Sequence, residues 1–311
     1  MSSDFLWVEK YRPTTIADCI LPSNMTEVFQ QMIKTGELHN MLFTGTAGLG
    51  KTTVAKALCK ELDLDYIVIN GSEEGNIDTL RGKIKQFASS VSLSGGYKVV
   101  ILDEADYLNP QSTQPALRGF IERFTDNCSF IFTCNYLHRI IDPIHSRTSV
   151  IEFKIDKKQA PQIAAQMLER VKYVLDDNNV TYNEKVLVEL IMRYYPDFRR
   201  TLNELQRYSA TGGIDSGILG QLGDANFQAL MALKEKNFTK VRKWVNDTSH
   251  TDPRNIYRQL YDNLHEHLTP NTLPPVILLL ADYQYKSAFA ADQQINLTAC
   301  LIEIMVEGEW Q

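Results

Sequence analysis

The sequence predicts a parallel five-stranded α/β sheet followed by two all-helical segments. Three observations carry that expectation. Short runs rich in β-branched and aromatic residues recur between positions 41 and 153, each separated from the next by enough chain for a crossover helix. After Lys157 such runs stop, and apolar residues fall at three- and four-residue spacing instead. The chain of 311 residues is also too long for one small core and should divide into two or three domains. Strand alternating with helix is the pattern of a parallel sheet, whose strands need crossovers on its faces.

In chain order, residues 1 to about 40 read as an extended entry, a turn at Arg12-Pro13 and a helix around Met25 to Lys34. The five strand candidates are MLFTG from Met41, YIVIN from Tyr66, KVVILD from Lys98, SFIFTC from Ser129 and VIEF from Val150. Three amphipathic helices follow in QAPQIAAQMLERVKYVL, NEKVLVELIMRYY and DFRRTLNELQRYS. The stretch TGGIDSGILGQLGD, with five glycines, closes that helical segment or links it to the next, and further helices run to the end. The expected boundaries are 1–155 for the α/β domain, 156–222 for a helical lid and 223–311 for a C-terminal helical domain. No internal repeat or low-complexity tract interrupts this order.

Composition narrows the class. With 44% hydrophobic and 23% charged residues, the chain is neither disordered nor fibrous. Its longest late apolar run, VILLLA from Val276 to Ala281, is far shorter than the roughly 20 residues of a membrane span. The N-terminus carries Asp4 and Glu9 and lacks a signal-like apolar core, so a cytoplasmic protein without a membrane partner is expected. Cys19, Cys59, Cys128, Cys134 and Cys300 form no C-x2-C pair, which points to reduced thiols rather than zinc or disulfides. At a net charge of -6, nucleic acid would have to be met by a local basic face. His265 and His267, two apart, would face different sides of a helix and are assigned no metal role.

The chemistry begins at GTAGLGKT, Gly45 to Thr52, which fits G-x-x-x-x-G-K-T directly after a strand candidate and before a helix. Such glycines let backbone N–H groups turn toward phosphate oxygens. The helix N-terminus adds partial positive charge, Lys51 reaches the terminal phosphates, and Thr52 offers a hydroxyl to Mg2+. KVVILDEAD supplies Asp103 for magnesium at a strand end and Glu104 to polarise an attacking water. An acidic pair at a strand end alone would be a turn cap. Fifty residues after an intact phosphate loop it reads as ATP hydrolysis. One strand later, Asn135 ends SFIFTCN as an amide able to orient that water.

In this order of motifs the chain resembles the AAA+ ATPases, with Asn135 at their sensor 1 position. Within them it is similar to sliding-clamp loader subunits, both replication factor C small subunits and those of T-even-type bacteriophages. VEKYRPTTIADCI resembles their entry segment, which implies nucleotide-base contacts from Val8, Glu9, Lys10, Tyr11 and Ile20, beside Gly48, Leu49, Gly50, Lys51, Thr52 and Thr53 of the loop. SRT at Ser146 to Thr148 resembles their S-R-C motif, which implies that Arg147 reaches ATP on a neighbouring subunit. PDFRRTLNEL resembles the sensor 2 segment, which implies a γ-phosphate contact from Arg199. NIDTLRGKIKQFAS resembles the helix that tracks duplex DNA, with Arg81, Lys83 and Lys85 as phosphate contacts. In TQPALRGFIERF, Gln114 and Arg118 stand where the family couples its ATP site to DNA and to the next subunit.

The resemblance covers residues 5 to about 220; the last third matches by length and helical character. It implies a C-terminal collar for oligomerisation and, as partners, primer-template DNA, a ring-shaped sliding clamp, further copies of the chain and a distinct small subunit in a pentamer, in the host cytoplasm if phage-borne. Thr148 replaces the family cysteine, leaving the arginine intact, and Leu49 replaces its threonine or serine, with little consequence expected because backbone amides do the binding there. Two other readings compete. The literal D-E-A-D at 103–106 evokes a DNA helicase, but T-C-N stands where those enzymes carry S-A-T. An ATP-binding scaffold without turnover is opposed by the complete set of Lys51, Asp103, Glu104, Asn135 and Arg199.

Overall fold

The computed structural model describes residues 5–90, 97–210, 212–218, 229–248, 253–264 and 267–310. They divide into two compact units, Met1–Ile214 and Asp215–Gln311. The first holds five parallel strands in the order β2-β3-β4-β1-β5. They are β1 (Met41–Thr44), β2 (Asp65–Asn70), β3 (Lys98–Asp103), β4 (Cys128–Cys134) and β5 (Ser149–Glu152). Each lies within one residue of its expected run. β1 and β4 are buried throughout and β3 all but its last residue, as befits strands covered on both faces, while β2 and β5 form the half-open edges.

Side-chain alternation sorts the two faces. Met41, Phe43, Val99, Ile101 and Ile131 pack with α2 (Ser23–Thr35) and α3 (Lys51–Glu61) through Phe29, Val54 and Leu58. Leu42, Val100, Leu102, Phe130 and Phe132 meet α4 (Ile77–Ser89) and α5 (Thr113–Arg123) through Leu80, Ile84, Leu117 and Ile121. The entry is not wholly extended: α1 (Trp7–Lys10) is one helical turn, because Trp7 is buried and its N–H donates to Gln206 Oε1 at 2.9 Å. A second short turn, α6 (Asp142–His145), precedes β5.

The crossover from β1 leads toward β2, and the one from β4 leads to β5 on the other side. The strand order therefore reverses between β1 and β4, where open α/β sheets place their ligands, at the carboxyl ends of the strands.

The three expected helices form α7 (Ala160–Asp177), α8 (Glu184–Tyr194) and α9 (Phe198–Ser209). Asn183 and Asp197 cap the last two, accepting from Lys185 N and Arg200 N at 3.0 Å each. The second unit contains α10 (Phe238–Asp247), α11 (Pro253–Leu264), α12 (Leu273–Ser287) and α13 (Gln293–Glu307). Its own core gathers Leu233, Trp244, Tyr257, Leu260, Leu301 and Ile304. His267 follows the end of α11, and His265 and part of the glycine-rich stretch lie outside the described residues. All five cysteines are free, four of them buried, and burial pushes the Cys59 thiol up to about 12. Among the described residues no helix is long and apolar enough to cross a membrane.

Candidate active site

The loop from Gly45 to Gly50 joins β1 to α3 and is shaped by approaches only glycine allows. At Gly45 (φ +146°) a Cβ would lie 2.5 Å from Phe153 O; at Gly48 (φ +82°) it would lie 2.1 Å from Asp197 Oδ1, the cap of α9. No side chain caps α3, so its first N–H groups remain available to an anion. Lys51 is 8% exposed, and its Nζ donates to Gly45 O and Thr46 O at 2.8 Å and to Asn135 Oδ1 at 2.9 Å. Burial pushes its pKa below the ordinary lysine value, with Cys134, Asp103 and Asp106 acting in the opposite direction.

Asp103 closes β3 beside this lysine. Its Oδ1 accepts from Thr52 Oγ1 at 2.6 Å and from Thr133 Oγ1 at 2.5 Å, and Thr133 Oγ1 in turn accepts from Glu104 N at 3.1 Å. Glu104 sits at φ +53°, ψ +44°, a left-handed conformation uncommon for a non-glycine residue. Among the described residues its carboxylate makes no hydrogen bond or ion pair. Lys51, Thr52, Asp103, Glu104 and Asn135 are thus brought together at the carboxyl ends of β1, β3 and β4.

Beside them runs a cleft lined by the entry, the loop and the helices α7 and α9. Val8, Tyr11, Ile20, Gly48, Leu49, Gly50, Thr53 and Arg199 face it. Glu9 and Lys10 do not: Glu9 pairs with Arg12, and Lys10 Nζ donates to Asp177 Oδ2 at 2.8 Å on α7.

Arg147 lies elsewhere. It comes two residues before Ser149, which pairs with Met41, the first residue of β1. That is the amino end of a parallel sheet, about 13 Å from the loop at ~3.3 Å per residue. Its Nε and Nη2 donate to Glu122 Oε1 at 2.9 and 2.6 Å, and its Nη1 to Pro143 O at 2.9 Å and Ser146 Oγ at 3.1 Å. Arg118 Nε lies 3.6 Å from the same Glu122 oxygen. The Arg147 guanidinium, first, and then Arg118 hold the Glu122 carboxyl below the usual range. Gln114 is fully buried; its Nε2 donates to Leu108 O and Arg139 O, and its Oε1 accepts from Ile141 N, which fastens α5 to the loops after β3 and β4.

On α4, Leu80, Ile84 and Ala88 form the buried stripe. Arg81 and Lys85 flank it on one side and Lys83 on the other. Lys83 is paired with Glu74, Arg81 lies 3.9 Å from Asp78, and Lys85 has no ion-pair partner among the described residues.

Residues 41–158 match the ATPase family associated with various cellular activities (AAA), and residues 159–220 match the AAA+ ATPase lid domain of the sliding-clamp-loader large subunit. The sliding-clamp-loader large subunit of Enterobacteria phage T4 is 32% identical over 313 residues, covering 97% of this chain and 96% of that protein. The chain belongs to the sliding-clamp-loader ATPases. The counterpart in Escherichia phage RB69 is 37% identical over 251 residues, covering 78% of this chain and 77% of its own length. The replication factor C small subunit of Sulfurisphaera tokodaii is 32% identical over 332 residues, covering 99% and 98%. In fold alone, a solved structure of the Thermotoga maritima RuvB Holliday junction branch migration motor superposes with a TM-score of 0.54 at 20% identity over 72% of this chain and 78% of that one.

This clamp-loader chain is therefore an ATP-hydrolysing enzyme that binds ATP, as the motifs imply. Two polar residues of its site, Thr133 and Asp106, stand within SFIFTCN and KVVILDEAD, but the sequence alone assigns them no role. Thr133 does leave a signal: it is a polar residue two places before Asn135 near the end of a largely apolar strand, so the pleat turns both the same way. Asp106 leaves none beyond closing the D-E-A-D string.

Proposed function

We propose that the chain is the ATPase subunit of a DNA-replication clamp loader, whose ATP-bound assembly opens a ring-shaped clamp and grips primer-template DNA, and whose hydrolysis releases the clamp closed on DNA. The observation that carries this reading is the placement of Arg147 at the sheet end opposite Lys51, Asp103, Glu104 and Asn135. A side chain there has no phosphate of its own subunit to meet. It serves the site of a neighbour, so hydrolysis reports on assembly.

Within one subunit, the loop amides and the N-terminus of α3 receive the phosphates, and Lys51 exchanges the carbonyls of Gly45 and Thr46 for phosphate oxygens. Glu104, whose carboxylate has no partner among the described residues, accepts a proton from the attacking water, and Asn135 orients that water. Arg199 reaches the γ-phosphate from α9, which lets the lid sense the nucleotide. Thr52 Oγ1 and Asp103 Oδ1, neighbouring hard oxygen donors, fit Mg2+. An ion held by them would neutralise phosphate negative charge during transfer.

Domains of 1–155, 156–222 and 223–311 supply the ATPase, the lid and an oligomerising collar, with copies of this chain and a distinct small subunit completing a pentamer. Arg81, Lys83 and Lys85 bind DNA phosphates without regard to base sequence. Replacing all three by alanine should flatten the dependence of log affinity on log salt by about 0.9 for each phosphate no longer neutralised. ATP turnover by the complete complex, measured with and without a ring clamp and primer-template DNA, tests the whole reading. Stimulation by both is expected; turnover indifferent to them would contradict it.

A further inference from the structure

The β3–β4 ladder ends at Leu102 and Phe132. Beyond that pair come Asp103 and, past the strand end, Glu104 on one side, and Thr133, Cys134 and, past the strand end, Asn135 on the other. Side chains take over from the backbone there. Thr133 makes the first bridge, to Asp103 and to Glu104 N. Asp106 makes the second: from the single 3-10 turn Ala105–Tyr107, its Oδ2 accepts from Asn135 N and Tyr136 N, each at 3.2 Å.

Asp106 is only 5% exposed, and among the described residues its Oδ1 has no hydrogen-bond partner. A buried carboxylate with one oxygen unsatisfied is unfavourable for stability alone. A half-satisfied carboxylate retained in a core calls for a use. That use lies one bond further on: the residue whose amide Asp106 holds is the residue whose side-chain oxygen receives Lys51 Nζ. The connection therefore runs from the Glu104 turn through Asp106 to Asn135 and on to the phosphate-loop lysine. The Asp106 charge also favours the Lys51 ammonium.

We propose that Asp106 is a positioning residue for Asn135, a side-chain rung that keeps the sensor amide in register with the Glu104 turn after the strand ladder has stopped. The inference rests on the reading of Asn135 as the group that orients the attacking water. It predicts that Asp106 acts on turnover rather than on nucleotide capture, since the loop amides and Lys51 keep their places without it.

The experiment is a double-substitution cycle in the assembled complex, with Asp106→Ala, Asp106→Asn, Asn135→Ala and the pair Asp106→Ala with Asn135→Ala. It reads kcat, the KM for ATP, ADP affinity by fluorescence titration, and Tm. Asp106→Ala should lower kcat about 10- to 100-fold with ADP affinity changed less than about threefold. Asp106→Asn keeps an acceptor oxygen for the two amides and should restore kcat to within about threefold of the parent. In the Asn135→Ala background, Asp106→Ala should cause little further loss. Additive losses would overturn the proposal, as would an Asp106→Asn variant that keeps its Tm and is as slow as Asp106→Ala. If Asn135→Ala is slow while Asp106→Ala is not, the proposal fails and the reading of Asn135 stands. If Asn135→Ala turns over normally, both fail together.

Discussion

At the carboxyl ends of the strands, Lys51 bonds to Asn135, and Asp103 accepts from Thr52 and Thr133, all of them half or fully buried, whereas at the amino ends Arg147 meets Glu122, Pro143 and Ser146 on a more open surface. The first group is held in place by strand ends, a helix start and the left-handed turn at Glu104. The second is held by an ion pair between a short loop and the last turn of α5, of the kind that contributes little when exposed. A group of side chains pre-aligned by its own chain can receive a ligand by exchanging a few local hydrogen bonds, such as those of Lys51 to Gly45 O and Thr46 O. A half-exposed guanidinium with nearly all its N–H groups engaged locally must exchange some of those bonds before it can meet a group outside the chain. Under the proposed function the two ends are complementary halves, each completing a site with a different copy of the chain.

That comparison can be broken from either side. The largest effect is expected at the open end: Arg147→Ala should lower turnover of the assembled complex by about 10³- to 10⁵-fold while leaving ATP hydrolysis by the isolated chain unchanged. Steady-state rates of both preparations would check it; an equal loss in the isolated chain would put the arginine back in its own site. Next is Glu104→Gln, expected to lower kcat by about 10²- to 10⁴-fold in either preparation with nucleotide binding retained. Thr133→Val should come third. It leaves the Glu104 N–H without its acceptor and Asp103 with one donor fewer, at about 1–3 kcal/mol in denaturant unfolding, and Thr133→Ser should recover most of it.

The smallest effect is a pH dependence. The Glu122 carboxyl lies below its ordinary value because Arg147 and Arg118 face it, so the pair with Arg147 is complete above the ordinary glutamate value of 4.5 and loosens only as pH falls through the lowered one. An NMR titration of Glu122 in the parent and in Arg147→Ala should show the midpoint rise when the arginine is removed.

Much of this arrangement is legible in the sequence because it obeys local rules. The phosphate loop is glycine spacing between a strand and a helix, and the five strands are short apolar runs bounded by polar turns, so each can be placed to within a residue. Asp103, Glu104 and Asn135 stand at strand ends, which a parallel sheet gathers at one edge. What stays hidden depends on neighbours distant in sequence. Thr133 and Asp106 gain meaning only when two parallel strands lie in register and their ladder stops short of the site. Lys10 reaches Asp177, 167 residues away, which no spacing rule anticipates. The three basic residues of α4 look like one patch in the sequence, yet helical geometry sends Lys83 to the other flank, where Glu74 meets it.

The most direct test of catalysis shared between copies mixes two inactive variants, Glu104→Gln and Arg147→Ala, in complexes with the partner subunit, clamp and primer-template DNA. Each variant alone should be nearly without turnover. Mixed assemblies should regain it, because some sites then combine an intact Glu104 from one copy with an intact Arg147 from the next. If mixed complexes form and no turnover returns, Arg147 does not act across the interface, and the division of the site between two copies is wrong.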